Sequence, residues 1–335
     1  MVPKISVNLV GYKHRKYLQS CFENALKQDY PNFEITFIDN NSGDGSEEFA
    51  REHFPQVRVI QTGSNTGYSG GHNIGVKESD GEFVMFLTPD VDMKPNFLSE
   101  MIKPLIRDPR IGGVGGKLLR PQPIDGKYVF DTTGIIIQHS RRAIDRGQLS
   151  ADVGQYDTAE EVFAVNGACP LYRRSALMDA AIDGEVLDED IFAYWDDVDL
   201  GWRLRNFGWK IWYQPTAVAY HERAQGRSKG GYKKIFNFIR HHRQFSLFTR
   251  KLNWKNHIFM IIKNDFGWPM LRDLPKLLAR ETAMLGYMVV FEPKTLTVIP
   301  TFFKQLPNIL RKRKIIKSRR KMTDAEMDHW LSEKE

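Results

Sequence analysis

Short apolar runs alternate with amphipathic stretches through the first ninety residues of the chain. The strand-like runs are rich in Val, Ile and Phe, whereas the helix-like stretches repeat apolar residues every three or four positions. On this basis we predict strands at 5–10, 34–38, 57–60 and 83–87, and helices at 16–27 and 71–78. Such alternation predicts an α/β fold with a mostly parallel central sheet flanked by helices.

Polar, glycine-bearing segments follow three of these strands. DNNSGDG covers residues 39–45, NTGYSGG covers residues 65–71, and Asp90 and Asp92 follow the buried-looking run FVMFL. In open α/β sheets, ligands bind at the carboxyl ends of the strands. We therefore expect a binding site at this edge of the sheet.

Asp90 and Asp92 are separated by one residue directly after a strand. Two carboxylates at a strand end are often only a solvated turn. They also suit a hard divalent cation, Mg²⁺ or Mn²⁺, which takes one or two protein carboxylates together with phosphate oxygens. The pattern leaves both interpretations open.

A second acidic cluster, Asp196, Asp197 and Asp199, opens a predicted helix. Carboxylates favour the first turn of a helix, and Asp199 stands four residues before Arg203, which predicts an ion pair. Asp196 and Asp197 then remain as candidate general bases, because mutual repulsion and aromatic neighbours raise a carboxyl pKa.

His221 and Arg227 follow the alternating run WYQPTAVAY. A histidine at a strand end is commonly a solvent-facing residue, but a neutral imidazole can also provide a nitrogen ligand to Mn²⁺. Arg227 could contact phosphate oxygens.

Charge separates the chain into an acidic body and a basic end. Residues 232–335 contain 22 Lys and Arg against 9 Asp and Glu, whereas residues 1–231 have a net charge of −6. Helix-period apolar residues among the cations of 232–335 suit an anionic membrane surface, although nucleic acid is an alternative partner. We predict domains at 1–231 and 232–335. The two cysteines, together with the lack of a recognisable signal peptide or spanning segment, predict a cytoplasmic protein.

Seven segments occur in an order that resembles family 2 glycosyltransferases of the GT-A fold, in particular their bacterial rhamnosyltransferase-like branch. They cover about residues 5–228 and read ISVNLVGY, FIDNNSGDGS, NTGYSGGHNIG, FLTPDVDM, VNGACPLYRR, LDEDIFAYWDDVDLGWRLRNFGWKI and the strand-end His221. The resemblance implies a GT-A domain with a basic helical C-terminal extension.

The resemblance also implies roles for individual residues. It assigns Asp197, or the neighbouring Asp196, as catalytic base, and it assigns Mn²⁺ or Mg²⁺ to Asp90, Asp92 and His221. The implied acceptor side is Gly167 and Ala168. The implied donor side consists of Tyr12, Asp39, Asn41, Asn65, Gly67, Gly70, Asn73, Asp90 and Arg227.

The implied activity is inverting, metal-dependent sugar transfer in cell-surface polysaccharide synthesis. The branch favours dTDP-L-rhamnose as the nucleotide-sugar donor and a glycan or polyprenyl-linked acceptor at the inner face of the membrane, without nucleic acid. UDP- and GDP-sugars remain alternative donors. A non-catalytic nucleotide- or nucleic-acid-binding protein with a basic tail is the alternative from another class, although no RNP, KH or zinc-finger motif is present.

Overall fold

The computed structural model of the chain describes residues 2–223, 239 and 242–332. The chain forms two compact units. The N-terminal unit consists of Met1–Ile135 and Asp145–Glu222, and the C-terminal unit consists of Ile136–Ile144 and Arg223–Glu335. The sequence did not predict that a short internal segment belongs to the C-terminal unit. The predicted boundary after residue 231 lies outside the described residues and stays a prediction.

The strands, in chain order, are β1 (Ile5–Gly11), β2 (Phe33–Asp39), β3 (Arg58–Gln61), β4 (Phe83–Leu87), β5 (Val91–Met93), β6 (Ile111–Leu119), β7 (Phe130–Thr132), β8 (Ile135–Gln138), β9 (Ala143–Asp145), β10 (Glu160–Glu161), β11 (Leu171–Arg173), β12 (Lys210–His221) and β13 (Leu331–Ser332). The helices are α1 (Arg15–Leu26), α2 (Ser46–His53), α3 (Gly67–Lys77), α4 (Phe97–Arg107), α5 (Arg174–Ala180), α6 (Asp196–Asn206), α7 (Leu247–Asn264), α8 (Gly267–Phe291), α9 (Ile299–Arg319) and α10 (Asp324–Trp330).

The main sheet belongs to the N-terminal unit and has the order β10-β12-β6-β11-β4-β1-β2-β3. Strands β1 to β4 run parallel, as do β6 and β12, whereas β11 is antiparallel to both of its neighbours. The short strands β5 and β7 pair with β12 and β6. The predicted strands and the mostly parallel sheet are confirmed. Helix α3 begins at Gly67, four residues earlier than predicted.

Strand β4 lies between β1 and β11, and all five of its residues are buried. In the sheet Gly11 pairs with Asp39, and Leu9 pairs with Leu87. The segments that follow β1, β2 and β4 therefore begin at the same edge of the sheet. The apolar run FVMFL forms β4, a central strand of the core. Asp90 therefore lies just beyond the carboxyl end of a buried strand, at this edge of the sheet.

The C-terminal unit contains α7 to α10 and the pairing of β13 with β8. Arg141, from the short internal segment, is fully buried in this unit and contacts two acidic residues. Its Nε lies 2.8 Å from Asp265 Oδ2, and its Nη1 lies 2.7 Å from Asp273 Oδ2. Breaking a buried ion pair lowers the stability of the fold. These two pairs therefore fix the internal segment to Asp265, which directly follows α7, and to Asp273, which lies in α8. Of the helices in the described part of the chain, none combines the length and apolarity needed to cross a membrane.

Candidate active site

Asp90 and His221 meet at the carboxyl edge of the main sheet. Strand β5 runs antiparallel to the end of β12, so that Val91 pairs with His221, and the Glu222 N–H donates to Asp90 O at 3.0 Å. His221 Nε2 lies 3.4 Å from Asp90 Oδ2, and both side chains are largely buried. Strand pairing thus fixes the position of the histidine relative to the carboxylate.

Asp131 holds the other ring nitrogen of this histidine. His221 Nδ1 lies 2.7 Å from Asp131 Oδ2, and Arg120 Nη2 lies 3.2 Å from Asp131 Oδ1. Burial alone would lower the pKa of His221, but the hydrogen bonds and charges of Asp131 and Asp90 outweigh burial and raise this pKa to about 9. With the Nδ1 proton held by Asp131, the ring presents Nε2 to Asp90. Asp131 was missed from the sequence because ninety residues separate it from His221.

The Asp90–His221 pair fits a divalent cation such as Mn²⁺. One carboxylate oxygen and one imidazole nitrogen leave most coordination positions open for phosphate oxygens and water. A metal-binding histidine usually donates its other ring N–H to a carboxylate or carbonyl oxygen, as His221 can to Asp131. The chemistry of these donors matches the predicted cofactor, provided that the cation displaces the proton from His221 Nε2, because a metal-binding imidazole is neutral.

Asp92, the third predicted metal ligand, points to helix α1 instead. Its Oδ1 accepts hydrogen bonds from Ser20 Oγ at 2.5 Å and from Asn24 Nδ2 at 2.9 Å. Asp90 lies in the turn before β5, so strand alternation does not align it with Asp92. Within residues 2–223, 239 and 242–332, no three His, Cys, Asp or Glu side chains form a group that could hold a metal alone. A cation at Asp90 and His221 therefore needs further ligands from substrate or solvent.

We expect Asp131→Asn to weaken Mn²⁺ binding by about 10-fold or more, because the charge that orients and polarises His221 is lost while the shape is kept. Electron paramagnetic resonance of Mn²⁺ titrated with protein and nucleoside diphosphate measures this affinity directly. Asp125→Asn is the matched control, since Asp125 is an exposed residue that precedes the same strand. Equal affinities in the two variants would contradict the assignment of Asp131.

Asp197 lies in the first turn of α6 and is held by two backbone N–H groups. Its Oδ2 accepts from the Gly167 N–H at 3.0 Å, and its Oδ1 accepts from the Val198 N–H at 2.8 Å. The Tyr68 hydroxyl donates to Gly167 O at 2.5 Å. A Cβ at Gly167 would lie 3.0 Å from the Tyr68 hydroxyl oxygen, so a larger residue here would require Tyr68 to shift by a few tenths of an ångström. The two N–H groups keep the Asp197 carboxylate in one orientation.

The two adjacent aspartates differ in environment. Asp196 is buried, whereas Asp197 is half-buried. Burial, and then the charge on Asp197, raise the pKa of Asp196 well above its ordinary value. Asp199 pairs with Arg203 at 3.3 Å, which confirms its predicted structural role. Asp197 is therefore the accessible carboxylate of the pair.

A short hydrogen-bonded path links Asp197 to the Asp90 turn. The Thr88 N–H, two residues before Asp90, donates to Ala168 O at 2.9 Å. Ala168 follows Gly167, whose N–H holds Asp197. The structure thus brings together the predicted metal-binding residue Asp90, the predicted base Asp197 and the predicted acceptor-side residues Gly167 and Ala168.

The loop after β2 combines buried and exposed residues of the predicted donor side. Asp39 is buried, and its carboxylate accepts from Gln61 Nε2 at 2.8 Å, from the Ser42 N–H at 3.2 Å and from the Ser42 hydroxyl. Tyr12 and Asn41 are exposed beside it. Asp39 therefore shapes this loop, while Tyr12 and Asn41 are the accessible groups.

Gly67 begins α3 in a conformation that only glycine fits. Its φ is +73°, and a Cβ at this position would clash with Phe192 O. Asn65 Oδ1 accepts from the Gly67 N–H at 2.9 Å, and Asn40 Nδ2 donates to Gly67 O at 2.7 Å. Asn40 was missed, although its position in the DNN segment could have indicated it.

Gly70 and Asn73, also on the predicted donor side, have structural roles in α3. A Cβ at Gly70 would lie 2.7 Å from Thr66 Cβ. Asn73 donates from Nδ2 to Leu187 O at 2.8 Å and accepts from the Leu187 N–H at 2.9 Å. Asn73 therefore anchors the segment that leads to α6. Arg227 lies outside the described residues, so its predicted phosphate contact stays a prediction.

Comparison with known proteins identifies the family. The family model described as Glycosyl transferase family 2 matches residues 6–179, which is more than half of the chain. The chain belongs to glycosyl transferase family 2. It is a glycosyltransferase, and the resemblance found in the sequence is confirmed.

A curated relative lies in the predicted branch of the family. The N-acetylglucosaminyl-diphospho-decaprenol L-rhamnosyltransferase of Mycobacterium tuberculosis is 28% identical to this glycosyltransferase over 226 residues, which cover 58% of this chain and 68% of the relative.

Two solved structures confirm the GT-A fold. GalNAc-T7 with UDP, GalNAc and Mn²⁺ has a TM-score of 0.57 at 14% identity, over 78% of this chain and 48% of that chain. The mannosyltransferase PcManGT from Pyrobaculum calidifontis, in complex with GDP-Man and Mn²⁺, has a TM-score of 0.53 at 16% identity, over 95% of this chain and 86% of that chain.

Proposed function

We propose that this glycosyltransferase moves a sugar, with inversion, from a nucleotide-diphosphate donor to an acceptor hydroxyl, with Asp197 as general base. The observation that carries the proposal is the path from Asp90 through Thr88 and the Gly167–Ala168 peptide to Asp197. This path connects Asp90, which we assign to the diphosphate, with Asp197, which we assign as the base, through one backbone hydrogen bond between two segments, and this connection supports the assignment. A single displacement needs these two groups on opposite sides of the reacting carbon.

In this mechanism Asp197 takes the proton from the acceptor hydroxyl as that oxygen bonds to the anomeric carbon. The bond from the anomeric carbon to the diphosphate oxygen breaks in the same step, and its electron pair leaves with the nucleoside diphosphate. The Gly167 and Val198 N–H groups hold Asp197 in position. Asp90 and His221 would hold the divalent cation, which when bound offsets the negative charge of the diphosphate.

Asp196 is less suited to act as the base. Burial, and then the charge on Asp197, raise the pKa of Asp196 well above its ordinary value, so Asp196 keeps its proton to higher pH than an ordinary carboxyl does, and a protonated carboxyl cannot accept the acceptor proton. Its burial also keeps it from an incoming hydroxyl. We therefore assign proton abstraction to Asp197 and give Asp196 a structural position at the start of α6.

We further propose dTDP-L-rhamnose as the donor and a polyprenyl-diphosphate-linked glycan as the acceptor, in cell-surface polysaccharide synthesis. The name of the M. tuberculosis rhamnosyltransferase states an L-rhamnosyl group and a decaprenol-linked acceptor, which supports the sugar and the acceptor. The dTDP part of the donor rests on the resemblance to the rhamnosyltransferase-like branch. UDP- and GDP-sugars remain the alternatives. A lipid-linked acceptor and a basic C-terminal unit support a peripheral location on the inner face of the cell membrane. Family membership argues against a non-catalytic nucleotide- or nucleic-acid-binding protein.

A donor panel tests the proposal. Purified protein is incubated with Mn²⁺ and, separately, dTDP-L-rhamnose, UDP-GlcNAc and GDP-mannose, and nucleoside diphosphate release is followed by mass spectrometry. We expect metal-dependent release, fastest from dTDP-L-rhamnose. Faster release from a UDP- or GDP-sugar would overturn the donor assignment alone. Failure to bind any of the donors, measured by calorimetry, would overturn the proposed function.

A further inference from the structure

Helix α8 exposes a long apolar face within the C-terminal unit. Trp268, Leu271 and Leu278 retain 64%, 60% and 59% of their accessible surface. Leu274, Leu285 and Val289 are exposed as well. Contiguous apolar surface of this kind marks an interaction site when it is large, because water-soluble surfaces rarely carry it.

The six side chains form one stripe along the helix. At 100° per residue, positions 268, 271, 274, 278, 285 and 289 fall within an arc of about 120°. The five charged residues of α8, which are Arg272, Asp273, Lys276, Arg280 and Glu281, all lie outside this arc. The stripe therefore extends from the first turn of the helix to the last without a charged interruption.

The charges beside the stripe are mainly basic. Arg272 and Lys276 are exposed, although Arg272 is already paired with Asp273 at 3.0 Å and with Asp328 at 2.7 Å. Asp273 is buried, and Glu281 lies 3.2 Å from His257 Nδ1. Across residues 242–332 as a whole there are 18 Lys and Arg against 7 Asp and Glu. A partner that binds the stripe should therefore offer an apolar region to the stripe itself and negative charge to the basic residues beside it.

We infer that the stripe docks α8, parallel to the membrane plane, on a bilayer containing anionic lipids. An interfacial helix combines an apolar face that enters the acyl boundary with basic residues that face lipid phosphates, and Trp favours that boundary. A second copy of the chain is a poorer occupant, since it would bring together two surfaces that each have an excess of Lys and Arg over Asp and Glu across residues 242–332. The inference rests on the proposed function in one respect, that a lipid-linked acceptor requires the enzyme to reach the bilayer.

Vesicle flotation of the full-length protein tests this docking. We expect the protein to float with vesicles of phosphatidylcholine and phosphatidylglycerol, and to remain at the bottom of the gradient with phosphatidylcholine alone. Leu271→Glu/Leu278→Glu should lower partitioning by about 10-fold or more, because two side chains lose their apolar transfer energy. Both side chains are exposed, so the substitution leaves the core intact, which circular dichroism verifies.

Ile106→Glu is the matched control, because Ile106 is 60% exposed on α4 in the N-terminal unit. It should float like the unmodified protein. Undiminished flotation of Leu271→Glu/Leu278→Glu would overturn the inference. So would a dimer, detected by analytical ultracentrifugation, that this double variant converts to a monomer, because a second copy would then cover the stripe.

A second measurement separates the docking from the proposed function. Nucleoside diphosphate release without vesicles should be equal in Leu271→Glu/Leu278→Glu and the unmodified protein, since α8 contributes no residue to the candidate site. If release is absent from both proteins while flotation still distinguishes them, the proposed function fails and the docking stands. If release is normal but neither protein floats, the docking fails alone.

Discussion

Replacement of Asp197 by Asn is expected to lower the rate of nucleoside diphosphate release about 1,000-fold, with little change in donor affinity. General-base catalysis contributes about 10²- to 10⁴-fold, and asparagine keeps the size of the side chain while losing the basic oxygen. The amide oxygen of the substituted side chain can still accept from the Gly167 N–H, so the local structure should persist. Single-turnover release at saturating donor, with calorimetry for donor binding, measures the two quantities separately.

Asp196→Asn is the control for this prediction, since it makes the same chemical change one residue away. Its rate should stay within several-fold of the unmodified enzyme. Because the folded protein raises the pKa of Asp196, the folded state holds this proton to higher pH than the unfolded chain does. The contribution of Asp196 to stability therefore falls as pH rises above about 4, the ordinary carboxyl pKa, and Asp196→Asn should melt at a higher temperature than the unmodified protein at pH 8. A larger rate loss in Asp196→Asn than in Asp197→Asn would reverse the assignment.

Four strands and two helices in the first ninety residues were predictable, because periodicity and burial agree there. The run FVMFL is five residues long and entirely apolar, which favours a buried strand, and β4 has the predicted bounds, 83–87. The ion pair of Asp199 with Arg203 was equally local, since residues four apart on a helix are neighbours. Signals of this kind depend on a few adjacent residues, which one sequence displays directly.

Long-range contacts were not predictable in the same way. Asp131 reaches His221 only because β7 and β12 both pair with β6. Arg141 joins the C-terminal unit through Asp265 and Asp273, more than 120 residues away. Neither short segment has a composition that distinguishes a buried charge partner from a loop residue. A single sequence cannot indicate such pairs without the topology.

Local spacing did not indicate that the two aspartates of the strand end have different partners. The segment Asp90-Val91-Asp92 suggested that both carboxylates bind one metal ion. In the structure Asp90 lies in a turn and Asp92 in β5, so the two side chains do not follow one strand alternation. The oxygen atoms of Asp92 satisfy Ser20 and Asn24 on α1, whereas Asp90 faces His221. The two carboxylates can therefore be tested against each other with the same substitution.

Asp90→Ala is expected to abolish metal-dependent release, with a loss of about 1,000-fold or more, while Asp92→Ala should keep most of the activity. Loss of a metal-binding carboxylate removes electrostatic stabilisation of several kcal/mol, and each 1.36 kcal/mol corresponds to a factor of ten. Asp92→Ala removes the acceptor of Ser20 and Asn24, which are exposed and partly buried, so it should lower the free energy of unfolding by about 0.5 to 1.5 kcal/mol.

Rates measured over a Mn²⁺ titration, together with urea unfolding, separate the two effects. Asp90→Ala should lose Mn²⁺ binding in the presence of nucleoside diphosphate, and it should also lose stability, because its partner His221 is largely buried. Asp92→Ala should bind Mn²⁺ normally and unfold at lower urea. If instead both variants lose Mn²⁺ binding to the same extent, the cation bridges the two carboxylates, and α1 would have to release Asp92 when the donor binds.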